Sequence, residues 1–149
     1  MEFTIPRSMK QEHDELHEEL KRITGGKSKV AAAARKVADP LHAHFEKEEA
    51  FALPPLGLLP QLARGEVTAK MADVLKMTDR LRAELPEMLE EHKAIVAALR
   101  ALVEAGKKAR KPSVVEFATK LMRHAQTEEE VAYPTSILIG EYVHLKLGN

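Results

Sequence analysis

Two stretches decide the reading of this chain: "HAHFEKEEAFALPP" at residues 42–55 and "HAQTEEEVAYP" at residues 124–134. Each sets a glutamate four residues after a histidine and a proline ten residues after it: His44, Glu48 and Pro54, then His124, Glu128 and Pro134. A step of four keeps two side chains on one face of a helix. Worked outward, the same face carries Val37, Leu41, His44, Glu48 and Phe51 in one stretch and Phe117, Leu121, His124, Glu128 and Val131 in the other. Steps of four and three are the mark of an amphipathic helix.

Two further segments repeat the pattern. Met9, His13, Leu16, Leu20 and Ile23 form a stripe that ends at Gly25-Gly26, with Ser8 and Gln11 as a capping box at its start. His92 lies among Met88, Leu89, Ile95, Val96 and Leu99. The spacing predicts helix from about Ser28 to Leu53, kinked or divided at Pro40, and again from Thr68 to Ala105, kinked at Pro86. A second capping box, Ser113 with Glu116, starts a helix that ends near Tyr133, before Pro134. "LPPLGLLPQLARGEV" reads as a connection and "SILIGEYVHL" as a short apolar end piece. No alternating run bounded by hairpin turns signals a strand. The expectation is an all-α, up-down four-helix bundle with kinked or extra helical segments, one domain over residues 1–149.

The four segments pair into two matched hairpins. His13 to His44 spans 31 residues and His92 to His124 spans 32, with "QEH" and "EEH" at corresponding points. Antiparallel helices turn their apolar stripes inward, so each of the four aims a histidine at the bundle axis and two of them add a glutamate. Burying an unpaired carboxylate costs several kcal/mol, against roughly 5–15 kcal/mol for a whole domain. A dication offsets that cost, because imidazole nitrogen and carboxylate oxygen are its ligands. Two carboxylates among four histidines suit two metals roughly 3.5–4 Å apart. A lone histidine on an apolar face is ordinarily a core or boundary residue. Only the joint pattern favours metal.

Around this set, several residues stay open to two readings. His17, one turn after His13, faces the same general direction and is either a further ligand or a boundary histidine. His42, about 200° around the helix from His44, is expected to face solvent, and His144 to lie at the surface or behind the ligands. Glu12, Glu49, Glu91 and Glu129 read first as a solvated charged face and second as outer support for the ligands.

Composition limits the rest. Lysine plus arginine equals aspartate plus glutamate, 23 each, so no basic field favours nucleic acid or an anionic membrane. The absence of cysteine removes disulfides and thiolate ligands, leaving nitrogen and oxygen for any metal. With neither a signal pattern nor an apolar run of about 20 residues, the expectation is a cytoplasmic protein. The oligomeric state is left open.

The ordered motifs "EHDELH", "HFEKEEAFALP", "EEHKAI" and "HAQTEEEVAYP" resemble hemerythrin-like proteins, also described as HHE cation-binding domains. The resemblance implies a four-helix bundle around an oxo- or hydroxo-bridged di-iron centre. Its ligands would be His13, His44, His92 and His124, with Glu48 and Glu128 as bridges, and the family's total of five histidines is reached only with His17. In the familiar oxygen carriers the second histidine pair falls on the third helix, whereas here it is His13 and His17 on the first, and their last bridge is an aspartate where this chain has Glu128.

The implied function is binding of dioxygen, or of a related small ligand such as nitric oxide, without a dedicated reaction. Zinc or manganese would also accept these ligands. One rival is a di-iron peroxidase or oxidase, for which Tyr133, read first as a core aromatic, is a candidate proton donor. A ferritin-like store would need paired Glu-x-x-His motifs, and Glu141 with His144 has no counterpart. A metal-free interaction bundle is the last alternative.

Overall fold

A computed structural model describes residues 2–148. Its elements are α1 (Arg7–Ile23), α2 (Lys29–Lys47), α3 (Leu59–Ala63), α4 (Val74–Lys108), α5 (Pro112–Thr127) and α6 (Tyr133–Leu147). Two five-residue π-helical turns follow α2 and α5, at Glu48–Ala52 and Glu128–Ala132. Short 3-10 turns at Pro54–Leu58 and Ala69–Asp73 flank α3. There is no strand among the described residues. The chain is an all-helical bundle: α2 lies along α4, α4 along α5, and α1 against α2 and α5. None of the described helices is long and apolar enough to cross a membrane.

Helix boundaries differ from expectation in ways that hydrogen bonding explains. Ser28 caps α2 by accepting from the Ala31 N–H at 3.0 Å. The two expected capping boxes do not form. Ser8 already lies inside α1, whose first turn is set by Pro6, and Ser113 follows Pro112 at the first position of α5. Pro40 and Pro86 do not divide their helices. Each would strand the carbonyl four residues earlier, at Lys36 and Arg82, and these residues are exposed, where water satisfies the freed oxygen.

Pro134 does not end the fourth long segment either. The backbone instead widens ahead of it: the Tyr133 N–H bonds to the Glu128 carbonyl, and the Leu53 N–H to the Glu48 carbonyl at 2.9 Å, both i to i+5. After Glu128 the inward position moves on from i+3 to i+5, whereas after Glu48 both Phe51 and Leu53 stay buried. Val131, expected on the inner stripe, is 58% exposed, while Tyr133 is fully buried. The end piece then continues as a full helix, α6, along the first half of α4. Gly140 of α6 allows this approach, since a Cβ there would strike the Thr78 side chain.

The core divides into layers along the axis. Leu16, Leu41, Ile95, Leu99, Phe117 and Leu121 fill one end. Phe51, Leu81, Met88 and Tyr133 form a second apolar layer, and Leu53, Met71, Ile139 and Val143 a third. Each fully buried Leu or Phe is worth about 1.5–3 kcal/mol. The histidines and glutamates of the motifs are buried in the bundle among these layers.

Candidate metal centre

His13, His44, His92, Glu48 and Glu128 are all buried, at 1, 1, 2, 0 and 2% exposure. His124 keeps 8% of its side chain exposed. Four helices supply them: α1, α2, α4 and α5, with the two glutamates at the starts of the π turns. Glu48 and Glu128 therefore sit at matched points of the two hairpins.

These side chains form two overlapping groups. His44, His92, Glu48 and Glu128 each place a ligand atom within 4.8 Å of the others, and so do His13, His124 and Glu128. His13 Nε2 lies 3.3 Å from Glu128 Oε2 and 3.7 Å from Glu48 Oε1. His124 Nε2 is 3.1 Å from Glu128 Oε2, and His92 Nε2 is 3.5 Å from Glu128 Oε1. His44 Nε2 is 3.8 Å from Glu48 Oε2. Glu128 thus stands between histidines of both hairpins, while Glu48 lies against His13 and His44 of its own hairpin and within 4.8 Å of His92.

The other ring nitrogen of every histidine is committed outward. The Nδ1–H of His44 donates to Glu91 at 2.8 Å, that of His92 to Glu129 at 3.0 Å, and that of His13 to Glu49 at 3.4 Å. His124 donates to Glu12 in the same way. An ionised carboxylate can only accept, so Nδ1 carries the proton, and a neutral ring then presents its Nε2 lone pair to the interior. Carboxylates that fix the tautomer and orientation of ligating imidazoles are a recurrent accompaniment of metal sites. His13 is held further by stacking on Phe45, ring centroids 4.1 Å apart.

The pairing obeys a pseudo-twofold. His13 with Glu49 corresponds to His92 with Glu129, and His44 with Glu91 to His124 with Glu12. Tyr133 breaks the symmetry, because its counterpart is Leu53. The Tyr133 hydroxyl donates to Glu48 Oε2 at 2.6 Å and lies 3.1 Å from Nε2 of both His44 and His92.

Electrostatics records a shortage of positive charge. Burial and the Glu128 charge hold the Glu48 carboxyl well above its usual range, so it keeps a proton. Glu128 lies well below that range despite its own burial, through the neighbouring Glu48 carboxyl and His124, His13 and His92. Burial pushes His44 down in spite of Glu91, whereas for His124 the carboxylates of Glu128 and Glu12 outweigh burial and raise it. Burial and the charges of Glu48 and Glu128 raise the Tyr133 phenol far above its ordinary value. Even so, the buried Glu48 Oε1 has no hydrogen-bond partner. An orphaned carboxylate oxygen facing inward nitrogens fits a cation, and the donor set of imidazole and carboxylate suits first-row divalent metals.

His17 is not gathered with this set. It is exposed on α1, beside His42 at a ring separation of 5.8 Å, because the buried face of α1 follows His13, Leu16 and Leu20 and turns His17 away from it. Nothing in the chain distinguishes His17 from His13 except that phase. Conversely, the four outer glutamates, read first as solvated, are the partners of the four rings. Their signal was present in the sequence: each directly precedes a motif histidine or directly follows a motif glutamate.

Comparison with known families matches residues 4–136 to the model described as the hemerythrin HHE cation binding domain. That span runs from before α1 into α6, and the chain belongs to this family. Neither the curated proteins nor the solved structures give a match.

Proposed function

We propose that this hemerythrin HHE cation-binding domain holds two iron ions through His13, His44, His92, His124, Glu48 and Glu128, and reversibly binds dioxygen or a related small ligand such as nitric oxide. The carrying observation is the inward convergence of four Nε2 atoms on two buried carboxylates, with all four Nδ1 atoms already engaged outside. When bound, an iron pair supplies the redox equivalents that dioxygen binding requires. The chain supplies the rest. Glu48 and Glu128 each lie near histidines of both hairpins and are placed to bridge. Glu12, Glu49, Glu91 and Glu129 keep the rings oriented, and Leu41, Phe45, Ile95, Leu121 and Ala125 exclude water.

Ligand size follows from the space available. Those apolar residues, with His44, His92, His124 and Glu128, enclose a void of about 10 Å³, roughly one water's worth. That space is too small for an organic substrate. A second reading, a peroxidase or oxidase, draws on Tyr133, whose buried hydroxyl reaches Glu48. Steady turnover of peroxide would favour it over simple binding.

Anaerobic loading with ferrous iron followed by air should give about two irons per chain and an oxo-bridge absorption reversed by removing oxygen. His124→Ala should lose most of that iron and His42→Ala, on the solvent face, almost none. Equal retention in both variants, or an optically silent protein, would refute the reading.

A further inference from the structure

The pseudo-twofold makes Tyr133 conspicuous: everything else in the centre has a partner of like chemistry, and Tyr133 has Leu53. Its hydroxyl is fully inside, in contact with three members of one metal group and none of the other. The phenol has a single proton, and the short contact gives it to Glu48 Oε2. The two 3.1 Å approaches to His44 and His92 then bring oxygen lone pairs toward nitrogen lone pairs whenever the rings are neutral. Such a triangle of acceptors is unfavourable unless something positive lies at its centre.

The distances say which role the oxygen takes. Ligands about 2.1 Å from an octahedral ion lie about 3 Å from one another. The Tyr133 oxygen stands 2.6–3.1 Å from Glu48 Oε2 and the two Nε2 atoms, the separation of neighbouring ligands. It does not stand where an ion would, since nitrogen to ion distances are near 2.1 Å.

We infer that the Tyr133 phenol oxygen is itself a metal ligand, completing the His44, His92 and Glu48 half of the centre and leaving the open position to the His13 and His124 half. The inference rests on the metal reading above and deepens it. Ligation breaks the phenol O–H bond and releases its proton, together with the one Glu48 gives up on binding metal, to bulk water, and no change of oxidation state is required. Leu53 brings no oxygen to the opposite half, so the two ions differ although their histidines and glutamates match. Added small ligands are thereby directed to one ion.

The test uses the full chain loaded with iron and oxidised. The chain has two tyrosines, Tyr133 and Tyr142, and the second lies on the outer part of α6 with Lys146 over its ring. A phenolate-to-iron absorption and resonance-Raman ring modes that shift on ring-deuteration of tyrosine are expected. Tyr133→Phe should lose both while keeping its iron, and should bind two azide ions per chain where the parent binds one; Tyr142→Phe should change neither. Should Tyr133→Phe misfold, the deuteration shift in the parent protein with Tyr142→Phe still decides. Iron at full content without tyrosine modes would overturn the inference and spare the metal reading. Failure to bind iron at all would overturn both.

Discussion

Glu48 carries the central conflict of the molecule at the scale of a single residue. It is fully buried, one oxygen is orphaned, and the metal-free fold answers by leaving a proton on it. Because its folded pKa is raised, the folded state holds a proton that the unfolded state releases once pH exceeds the ordinary glutamate value. Unfolding then binds fewer protons, so the stability of the metal-free protein falls as pH rises through the window between the ordinary and the raised value. Glu48→Gln is neutral at every pH. It should flatten that slope and raise the Tm of the metal-free protein near neutrality, while abolishing tight metal binding. Thermal melts across pH, with and without metal, read both effects. A Tm lowered by the substitution in the metal-free protein would contradict the assignment of buried charge.

At the scale of the element, the π turns decide what faces inward. A regular α-helix through Glu128 would have placed Val131 on the core stripe; the i to i+5 bond hands that position to Tyr133. Each π turn is followed by a proline two residues on, Pro54 and Pro134, whose ring would otherwise press on the carbonyl four residues back. The histidine, glutamate and proline repeated in both hairpins thus form one device, a ligand pair followed by a register change. Val131→Glu should alter unfolding free energy by less than about 0.5 kcal/mol, as an exposed change does. Phe51→Ala, at the matching point of the first hairpin where α4 covers the ring, should cost about 3–5 kcal/mol. Denaturant titration distinguishes these outcomes, and a large loss for Val131→Glu would place it inside after all.

For the whole molecule, bound cations would, on the proposed function, offset the cost of gathering ionisable groups from four helices. Removing metal with a chelator should therefore lower the Tm, by the equivalent of about 2.7 kcal/mol when free metal had stood at 100 times its Kd. An unchanged melt would instead point to a metal-free bundle. Much of this architecture was legible beforehand. The four-and-three stripes put His13, His44, His92, His124, Glu48 and Glu128 on inward faces, where the structure has them, because helical phase depends on spacing alone, and spacing is a property of sequence. What spacing cannot carry is a change of phase or a meeting between distant segments. The π turns exposed Val131 and buried Tyr133; the water-facing carbonyls at Lys36 and Arg82 let α2 and α4 run through their prolines; and the packing of α1 against α5 set Glu12 on His124, 112 residues away. Which of His13 and His17 turns inward was likewise settled by how α1 docks, since a helix alone presents both to much the same side and only its neighbours choose the face that is buried.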